Sequence, residues 1–381
     1  MIKLCRILDK LERRSCWLLG IGLFIVISIN TWLAARDRKQ LRRFSIRNPG
    51  PKLPDLKSPL VSILLPAWNE SLNIELCLRS LLDLRYPNLE VIVSAGGTDR
   101  TFDLARKYVG EKVVVLEQLP GQGKQGALRQ CFQFASGELI FLTDADCIVE
   151  DKVFKRVINP ILSGQELATT GAWQPIDQQL NNAFVQYQWA QHIYRELWMP
   201  DYAPALDGRV AAIHRDALED VGAFEIDAPI GTDLTLSKQL EAGGYRIRFV
   251  RECLIQTRYP QTIHSYLKQA SRWFRNPVIV GWQWRDRKLA LDIVQDGVTS
   301  LSLLLAPLLI ALSRRKIFIV VWILAIAHLW LSANRVMTAA KLSGRSRIDK
   351  ISQLPVFIIV NWMGMAKGLL DLVVHQKRSA W

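Results

Sequence analysis

The sequence lacks the residue patterns of several common enzyme classes. Its six cysteines form no Cys-x-x-Cys pair, and its five histidines form no His-Glu-x-x-His set, which argues against a zinc site built from them. It has no Gly-x-Ser-x-Gly segment and no complete Walker A motif, which argues against a serine hydrolase and a P-loop nucleotidase. It also has no internal repeat or low-complexity tract. We interpret the cysteines as reduced thiols and the histidines as structural or surface residues.

Acidic residues are few relative to basic ones: 35 Asp and Glu stand against 49 Lys and Arg, for a formal net charge of +14. Such an excess suits nucleic acid, or an anionic membrane face together with a polyanionic small substrate. Six basic residues directly follow the first apolar segment: Arg36, Arg38, Lys39, Arg42, Arg43 and Arg47. Since no nucleic-acid-binding motif accompanies them, we expect contact with membrane lipids and none with nucleic acid.

Long apolar segments lie in both end regions of the chain. Residues 1–14 have the spacing of an amphipathic surface helix, and residues 16–35 are an uncharged run long enough for a retained membrane anchor. Three more apolar runs follow after residue 286, at residues 298–312, 317–332 and 351–374. We expect an integral protein of the plasma (inner) membrane. Basic residues after the anchor favour a cytosolic catalytic domain, although the basic N-terminal tail and the 314–316 turn oppose this orientation.

Between residues 59 and 260, short apolar runs alternate with amphipathic segments, which predicts an α/β domain with a doubly wound sheet. The predicted strands are residues 61–65, 90–93, 113–116 and 138–142. The predicted helices between them are residues 71–82, 101–109 and 124–135. Ligands of such sheets bind beyond the carboxyl ends of the strands. Unusual segments lie at those ends, at residues 66–70, 94–99 and 144–146.

Asp144 and Asp146 follow an apolar strand that ends at Leu142. Alternate residues of an extended segment face the same side, so the two carboxylates can share one cation. Oxygen ligands suit Mg²⁺ or Mn²⁺, which often share their coordination with substrate phosphates. The alternative interpretation is a pair of solvated turn carboxylates.

Three residues with i, i+3 and i+4 spacing would project from one face of a helix: Gln269, Arg272 and Trp273. This helix is predicted over residues 262–275, with Pro260 and Pro277 as its limits. An Arg at this place can pair with phosphate, and a Trp can stack on a sugar ring. The alternative is an interfacial helix whose aromatic residues anchor it to lipid headgroups.

Two further residues lie where helices are predicted to begin. Asp233 has the position of a helix N-cap and is also a candidate general base. Lys124 follows Gly123 at the start of a helix, where both the Lys and the helix N-terminus suit phosphate. A flexible, solvated basic loop is the alternative for Lys124.

In order and spacing, these motifs resemble the membrane-bound, inverting family 2 glycosyltransferases, the group of cellulose, chitin, hyaluronan and poly-N-acetylglucosamine synthases. The resemblance covers about residues 59–280 and implies a GT-A-like, doubly wound mixed sheet flanked by transmembrane helices. Four segments carry it: Val61-Ser62-Ile63-Leu64-Leu65-Pro66-Ala67-Trp68-Asn69-Glu70, Thr143-Asp144-Ala145-Asp146, Gly231-Thr232-Asp233 and Gln269-Ala270-Ser271-Arg272-Trp273.

The resemblance implies a role for each segment. Asp233 would be the catalytic base, and Asp144 and Asp146 would hold Mg²⁺ or Mn²⁺ on the donor diphosphate. The residues expected to bind the donor or the acceptor are Pro66, Glu70, Ser94, Lys124, Asp144, Gln269, Arg272 and Trp273. The expected donor is a nucleotide sugar, with UDP as the nucleotide.

The chain departs from the family pattern at three places. Ser94 and Ala95 stand where two carboxylates normally reach the donor base and the metal, and Asp99 is not a clear replacement. Thr232 replaces a Glu beside the base, and Arg129 stands where an Asn is frequent. These differences weaken the expectation of uridine recognition.

We expect four regions: a surface helix, anchor and linker over residues 1–58, a catalytic domain over 59–260, an interfacial region over 261–290 and a transmembrane region over 291–381. The first hypothesis is inverting transfer of a hexose or N-acetylhexosamine to a polysaccharide acceptor. The second is transfer of one sugar to a membrane lipid, as in ceramide or diacylglycerol glucosyltransferases. The third is an inactive, glycosyltransferase-like scaffold. Homo-oligomerisation is left open.

Overall fold

The computed structural model describes residues 21–22, 24–33, 35–36, 58–228, 230–313, 316–346 and 348–374. The predicted surface helix at residues 1–14, residues 37–57 of the linker and part of the predicted anchor lie outside the described residues. The chain forms two compact units. Described residues of 58–180 and 198–259 form the sheet unit, and those of 21–36, 181–197 and 260–374 form the helical unit.

The sheet unit is built from strands and helices that alternate along the chain. Its strands are β1 (Val61–Trp68), β2 (Leu89–Gly96), β3 (Val113–Glu117), β4 (Leu139–Leu142), β5 (Cys147–Ile148), β6 (Ala168–Pro175), β7 (Tyr202–Ala203), β8 (Ala211–His214) and β9 (Ile247–Thr257). The helices of both units are α1 (Ile74–Leu82), α2 (Thr101–Arg106), α3 (Gly123–Phe134), α4 (Asp151–Leu162), α5 (Ala183–Trp198), α6 (Arg215–Asp220), α7 (Thr232–Ala242), α8 (Ile263–Gln283), α9 (Arg287–Ser313), α10 (Lys316–Ser343) and α11 (Leu354–Val374).

The sheet is mixed, with strand order β3-β2-β1-β4-β8-β6-β9-β5 and with β7 paired to β9. The first four strands are parallel, whereas β8 pairs antiparallel with both β4 and β6. Alternate residues of β1 enter two cores, because side chains of a strand point to opposite faces. Ile63 packs in the core with residues of α1 and α4, and Leu64 packs in the core with residues of α3 and α7. The predicted α/β fold with a doubly wound mixed sheet is confirmed.

Strands β1 and β2 are longer than the apolar runs indicated, and they carry two predicted site residues. Pro66 and Ser94 pair in register near the ends of these strands. The pairing of β1 with β4 ends at Leu64 and Leu142. Pro66 lies beyond this pairing, which suits a residue that has no N–H to donate.

The helical unit contains three helices that are long and apolar enough to cross a membrane: Arg287–Pro307, Ile319–Ser343 and Ile351–Val374. A shorter apolar helix covers Phe24–Leu33. The prediction that Pro277 ends the helix carrying Gln269 was wrong, because α8 continues to Gln283. A proline inside a helix removes one hydrogen bond. Buried contacts of Val280 and Gly281 beyond the proline favour continuation of the helix.

Candidate active site

Asp144 and Asp146 lie in the segment that joins β4 to β5, where Cys147 N donates a hydrogen bond to the Asp144 carbonyl oxygen at 3.0 Å and closes a turn. Both residues are half-buried, and Ala145 between them is buried. The thiol of Cys77 donates a hydrogen bond to the Asp144 carbonyl oxygen at 3.7 Å, and that of Cys147 donates to Asp146 Oδ1 at 3.5 Å. These weak contacts hold the segment from its buried side.

The surroundings of Asp146 disfavour the charged form of its carboxyl group. Burial, and then the nearby Asp144 carboxylate, raise its pKa above the ordinary value. Among the described residues, no group of three or more His, Cys, Asp or Glu side chains is arranged to hold a metal ion. The pair nevertheless fits a hard divalent cation, because the cation would relieve the repulsion and phosphate oxygens would complete its coordination.

Lys124 lies at the start of α3, and its side chain contacts Asp144, which follows the end of β4. Its Nζ donates a hydrogen bond to Asp144 Oδ1. Burial opposes the ammonium charge, but the carboxylates of Asp144 and Asp233 outweigh burial and raise the pKa of Lys124. Lys124 is therefore a fixed positive charge that interacts with both carboxylates.

Asp233 lies in the first turn of α7, and Gly231 occupies the N-cap with φ +60°. The N-cap interpretation of Asp233 is therefore wrong: only Gly231, without a Cβ, adopts this left-handed conformation at low cost. The Asp233 Oδ1 atom accepts a hydrogen bond from Leu234 N at 3.0 Å. Burial raises the pKa of Asp233, and Lys124 partly offsets that effect.

The segment between β7 and β8 places three residues here that the sequence motifs did not indicate. Asp207 accepts two hydrogen bonds from the Arg209 guanidinium, each 2.8 Å long. The guanidinium lies over the Trp173 ring, 3.9 Å from its centroid. Between them, Gly208 approaches the site so closely that an added Cβ would lie 3.0 Å from Lys124 Nζ. The only sequence signal was a glycine flanked by opposite charges.

Ser94 is fully buried at the end of β2, where the family resemblance implies a carboxylate. Its hydroxyl donates to Gln130 Oε1 at 2.7 Å, and Gln130 Nε2 donates to the Glu117 carbonyl oxygen at 3.2 Å. Asp99, the acidic residue at the end of this segment, is held by local hydrogen bonds. It accepts hydrogen bonds from Ser71 N and from Thr101 N and Oγ1, and these outweigh burial to lower its pKa to about 2.

Glu70 follows β1 on the side of the sheet that carries the aspartate pair. Burial is the main reason that the pKa of Glu70 is raised to about 7. A hydrogen bond from Asn73 Nδ2, 2.7 Å from Glu70 Oε2, lowers it, and the charges of Asp146 and Asp144 raise it further. Glu70 therefore adds a titrating carboxyl group to this end of the sheet.

The other predicted binding residues belong to the helical unit. Gln269, Arg272 and Trp273 lie on α8, where Arg272 is exposed and the other two are half-buried. The Trp273 ring lies 5.8 Å from the ring of His192 on α5.

The chain is similar in sequence to known glycosyltransferases. Residues 62–222 match the family model of Glycosyl transferase family 2. Over 233 residues the chain is 28% identical to the probable glycosyltransferase YdaM of Bacillus subtilis. This alignment covers 57% of this chain and 55% of that protein. Over 250 residues it is 28% identical to a poly-beta-1,6-N-acetyl-D-glucosamine synthase of Staphylococcus epidermidis, with coverages of 61% and 60%. The chain thus spans less than two thirds of the length of these relatives.

A solved structure with the same fold is the mannosyltransferase PcManGT from Pyrobaculum calidifontis, described in complex with GDP-Man and Mn²⁺. Its TM-score is 0.54 at 18% identity, and the match covers 95% of this chain and 99% of that one. Residues 62–222 are therefore similar to a family 2 glycosyltransferase domain, and the chain shares the fold of that mannosyltransferase.

Proposed function

We propose that this chain is an inverting glycosyltransferase that moves a hexose or N-acetylhexosamine from a nucleotide sugar, with UDP as the nucleotide, to a polysaccharide acceptor. One observation carries the proposal. At the carboxyl end of the sheet, Lys124 interacts with the carboxylates of Asp144 and Asp233. This combination supplies a base, a carboxylate pair for a cation and a positive charge for phosphate.

In this mechanism the acceptor hydroxyl loses its proton to Asp233 as its oxygen attacks the anomeric carbon opposite the leaving diphosphate. The raised pKa of Asp233 suits a general base at neutral pH. Asp144 and Asp146 would hold Mg²⁺ or Mn²⁺, which supplies charge neutralisation to the leaving diphosphate. Lys124 would add positive charge for the diphosphate. The family resemblance further implies that Arg272 binds phosphate and that Trp273 stacks on a sugar ring.

Two features support the choice of substrates. The relative from Staphylococcus epidermidis is named as a polysaccharide synthase, and the structural relative is described with a nucleotide sugar and Mn²⁺. The three candidate spans favour a position in a membrane, and the basic segment after the predicted anchor supports a cytosolic catalytic domain at the plasma (inner) membrane. Pro66, Glu70 and Ser94 would line the donor site.

The second candidate function is transfer of one sugar to a membrane lipid. The observation that favours it is the small number of candidate spans in the C-terminal region, three among the described residues. Three helices are few for one protomer to enclose a polymer channel.

The test uses the purified full-length chain in lipid nanodiscs with labelled UDP-glucose, UDP-N-acetylglucosamine or GDP-mannose, with Mn²⁺ or Mg²⁺ and mixed lipids. A ladder of products supports polymer synthesis, and one labelled glycolipid supports the second candidate. An anomeric configuration opposite to that of the donor supports inversion. We expect Asp233→Asn to lose turnover but keep donor binding, and Asp146→Ala to lose metal-dependent donor binding. Absence of turnover with every donor, with no effect of Asp233→Asn, would contradict the catalytic proposal.

A further inference from the structure

The helix α8 has one face packed in the helical unit and one face turned away from that packing. Ala270, Ser271 and Phe274 are buried, whereas Arg272 is exposed and Trp273 is half-buried. Successive helix residues are rotated by about 100°. A rotation of α8 by one residue would thus bury Arg272 where Ser271 now lies, so the outward position of Arg272 depends on what holds the buried face.

Glycines of two neighbouring helices form the surface against which this face packs. A Cβ added at Gly364 of α11 would lie 2.7 Å from the Ala270 Cβ, and one at Gly368 would lie 2.5 Å from the Phe274 Cβ. A Cβ added at Gly297 of α9 would lie 2.6 Å from the Phe274 ring. Any larger residue at these places would push α8 away, as expected where small residues allow membrane helices to approach closely.

A polar contact lies beside the glycines. Ser271 Oγ donates a hydrogen bond to Asp371 Oδ2 at 2.5 Å, and the same oxygen accepts one from Lys367 Nζ at 2.6 Å. Asp371 and Lys367 are one turn apart on α11, within the candidate span Ile351–Val374. Charged groups in such a span cost free energy. In this pair, the Asp371 carboxylate accepts its hydrogen bond from a single α8 residue, Ser271.

We propose that Asp371, with Gly364 and Gly368, is a positioning device that sets the rotation of α8 and so turns Arg272 outward and holds Trp273 beside His192 of α5. Close glycine packing fixes the distance between the helices. The hydrogen bond from Ser271 to Asp371, together with the one from the Tyr266 hydroxyl to Asn361 Oδ1 of α11 at 2.7 Å, selects one rotation of α8. The consequence for sugar transfer rests on the proposed function, whereas the consequence for the exposure of residue 272 does not.

The first arm of the test measures exposure without any substrate. Cys5 and Cys16 are replaced by Ser, and Arg272→Cys is labelled with a fluorinated reagent; Cys77, Cys131, Cys147 and Cys253 are buried. A soluble paramagnetic ion then reports exposure by broadening the fluorine signal. We expect strong broadening with Asp371 intact or as Asp371→Asn, whose amide oxygen still accepts from Ser271. We expect at least about threefold weaker broadening with Asp371→Leu or Gly368→Ala.

The second arm uses the full-length enzyme in nanodiscs. We expect Asp371→Leu and Gly368→Ala to lower kcat/KM for the donor at least about tenfold, as misplacement of a binding group does. Asp371→Asn should restore most of this loss. The matched control is Gly22→Ala in the helical unit, since a Cβ added at Gly22 meets nothing within 4 Å. In an Arg272→Ala, Trp273→Ala background, Asp371→Leu should have little further effect.

The two arms separate the possible failures. Unchanged broadening with both Asp371→Leu and Gly368→Ala overturns the positioning device, whatever the activity. Altered broadening in a chain that turns over no donor overturns the proposed function alone. An activity loss from Asp371→Leu that stays tenfold without Arg272 and Trp273 identifies a purely structural effect and also refutes the inference.

Discussion

Gly208 and Lys124 lie in direct contact: a Cβ on Gly208 would be 3.0 Å from the Lys124 ammonium nitrogen and 3.5 Å from the Asp233 Cβ. The backbone at residue 208 thus forms one wall of the space that the proposed base and its neighbouring cation share.

We expect Gly208→Ala to reduce kcat at least about tenfold, because the added methyl group displaces Lys124 or Asp233 from the reacting position. Steady-state kinetics with the preferred donor measures the loss. Gly110→Ala is the matched control, since the nearest atom to its added Cβ is 4.0 Å away. Equal activity of the two variants would contradict the crowding argument.

The pair of Asp207 and Arg209 should be essential to the stability of the sheet unit. Both side chains are 16% exposed. Removal of one partner leaves the other charge buried without its counter-charge, so we expect Arg209→Met to destabilise the protein by about 3–5 kcal/mol. Asp207→Asn combined with Arg209→Met should cost less than Arg209→Met alone. Denaturant titration of the full chain in detergent measures both.

The matched control for this ion pair is Lys155→Met. Lys155 pairs with Asp151 at 2.9 Å on the surface of α4, where the side chains are 35% and 32% exposed. Its loss should cost less than about 1 kcal/mol. A similar cost for Arg209→Met and Lys155→Met would show that the buried pair is not specially stabilising.

Glu70 should make the metal-free protein less stable at high pH. Its folded-state pKa is about 7, against 4.5 as the reference value. Between those values the folded state binds more protons at Glu70 than the unfolded state does. The contribution of Glu70 to folding stability is therefore highest below pH 4.5 and falls as pH rises to 7. The loss is on the order of 3 kcal/mol.

Glu70→Gln removes this titration. The measurement is thermal unfolding of the unmodified chain and of Glu70→Gln in EDTA at pH 5 and pH 8. The difference between the two proteins reports Glu70, because the other titrating groups are the same in both. We expect the variant to have the higher Tm at pH 8, with a smaller difference at pH 5. A constant difference across this range would show that Glu70 does not titrate there.

The loop that precedes Asp233 should depend on Gln125 of α3. Gln125 Nε2 donates to the carbonyl oxygens of Phe224 at 2.9 Å and Ile226 at 3.0 Å. We expect Gln125→Leu to raise the donor KM about threefold or more and to increase proteolysis in this loop, since the Ile226 carbonyl loses its side-chain donor and the Phe224 carbonyl keeps only that of Arg129. Gln133→Leu, at an exposed position of the same helix, is the control. Unchanged KM and cleavage in Gln125→Leu would remove the loop's role.

Arg129, which stands where the family pattern frequently has an Asn, has a structural contact that the sequence did not indicate. Its guanidinium donates to the carbonyl oxygens of Phe224 at 3.1 Å and Glu225 at 2.9 Å. A residue that replaces a frequent Asn thus holds a segment about 95 positions away along the chain. The sequence contains no local signal of such a contact.

The sequence by itself determined the local elements. Buried apolar runs and helical spacing predicted β1 to β4 and the helices between them, because these patterns depend only on neighbours two to four residues apart. The same locality placed Asp144 and Asp146 directly after a buried strand. It failed at Pro277, where packing beyond the proline outweighed the lost hydrogen bond.

Only the tertiary structure decided which distant residues share the site. The antiparallel pairing of β8 with β4 brings the Asp207–Arg209 segment to the aspartate pair, and the packing of α8 on α11 determines which way Arg272 faces. Each depends on contacts between residues some 60 to 100 positions apart, a range over which hydrophobic periodicity carries no information.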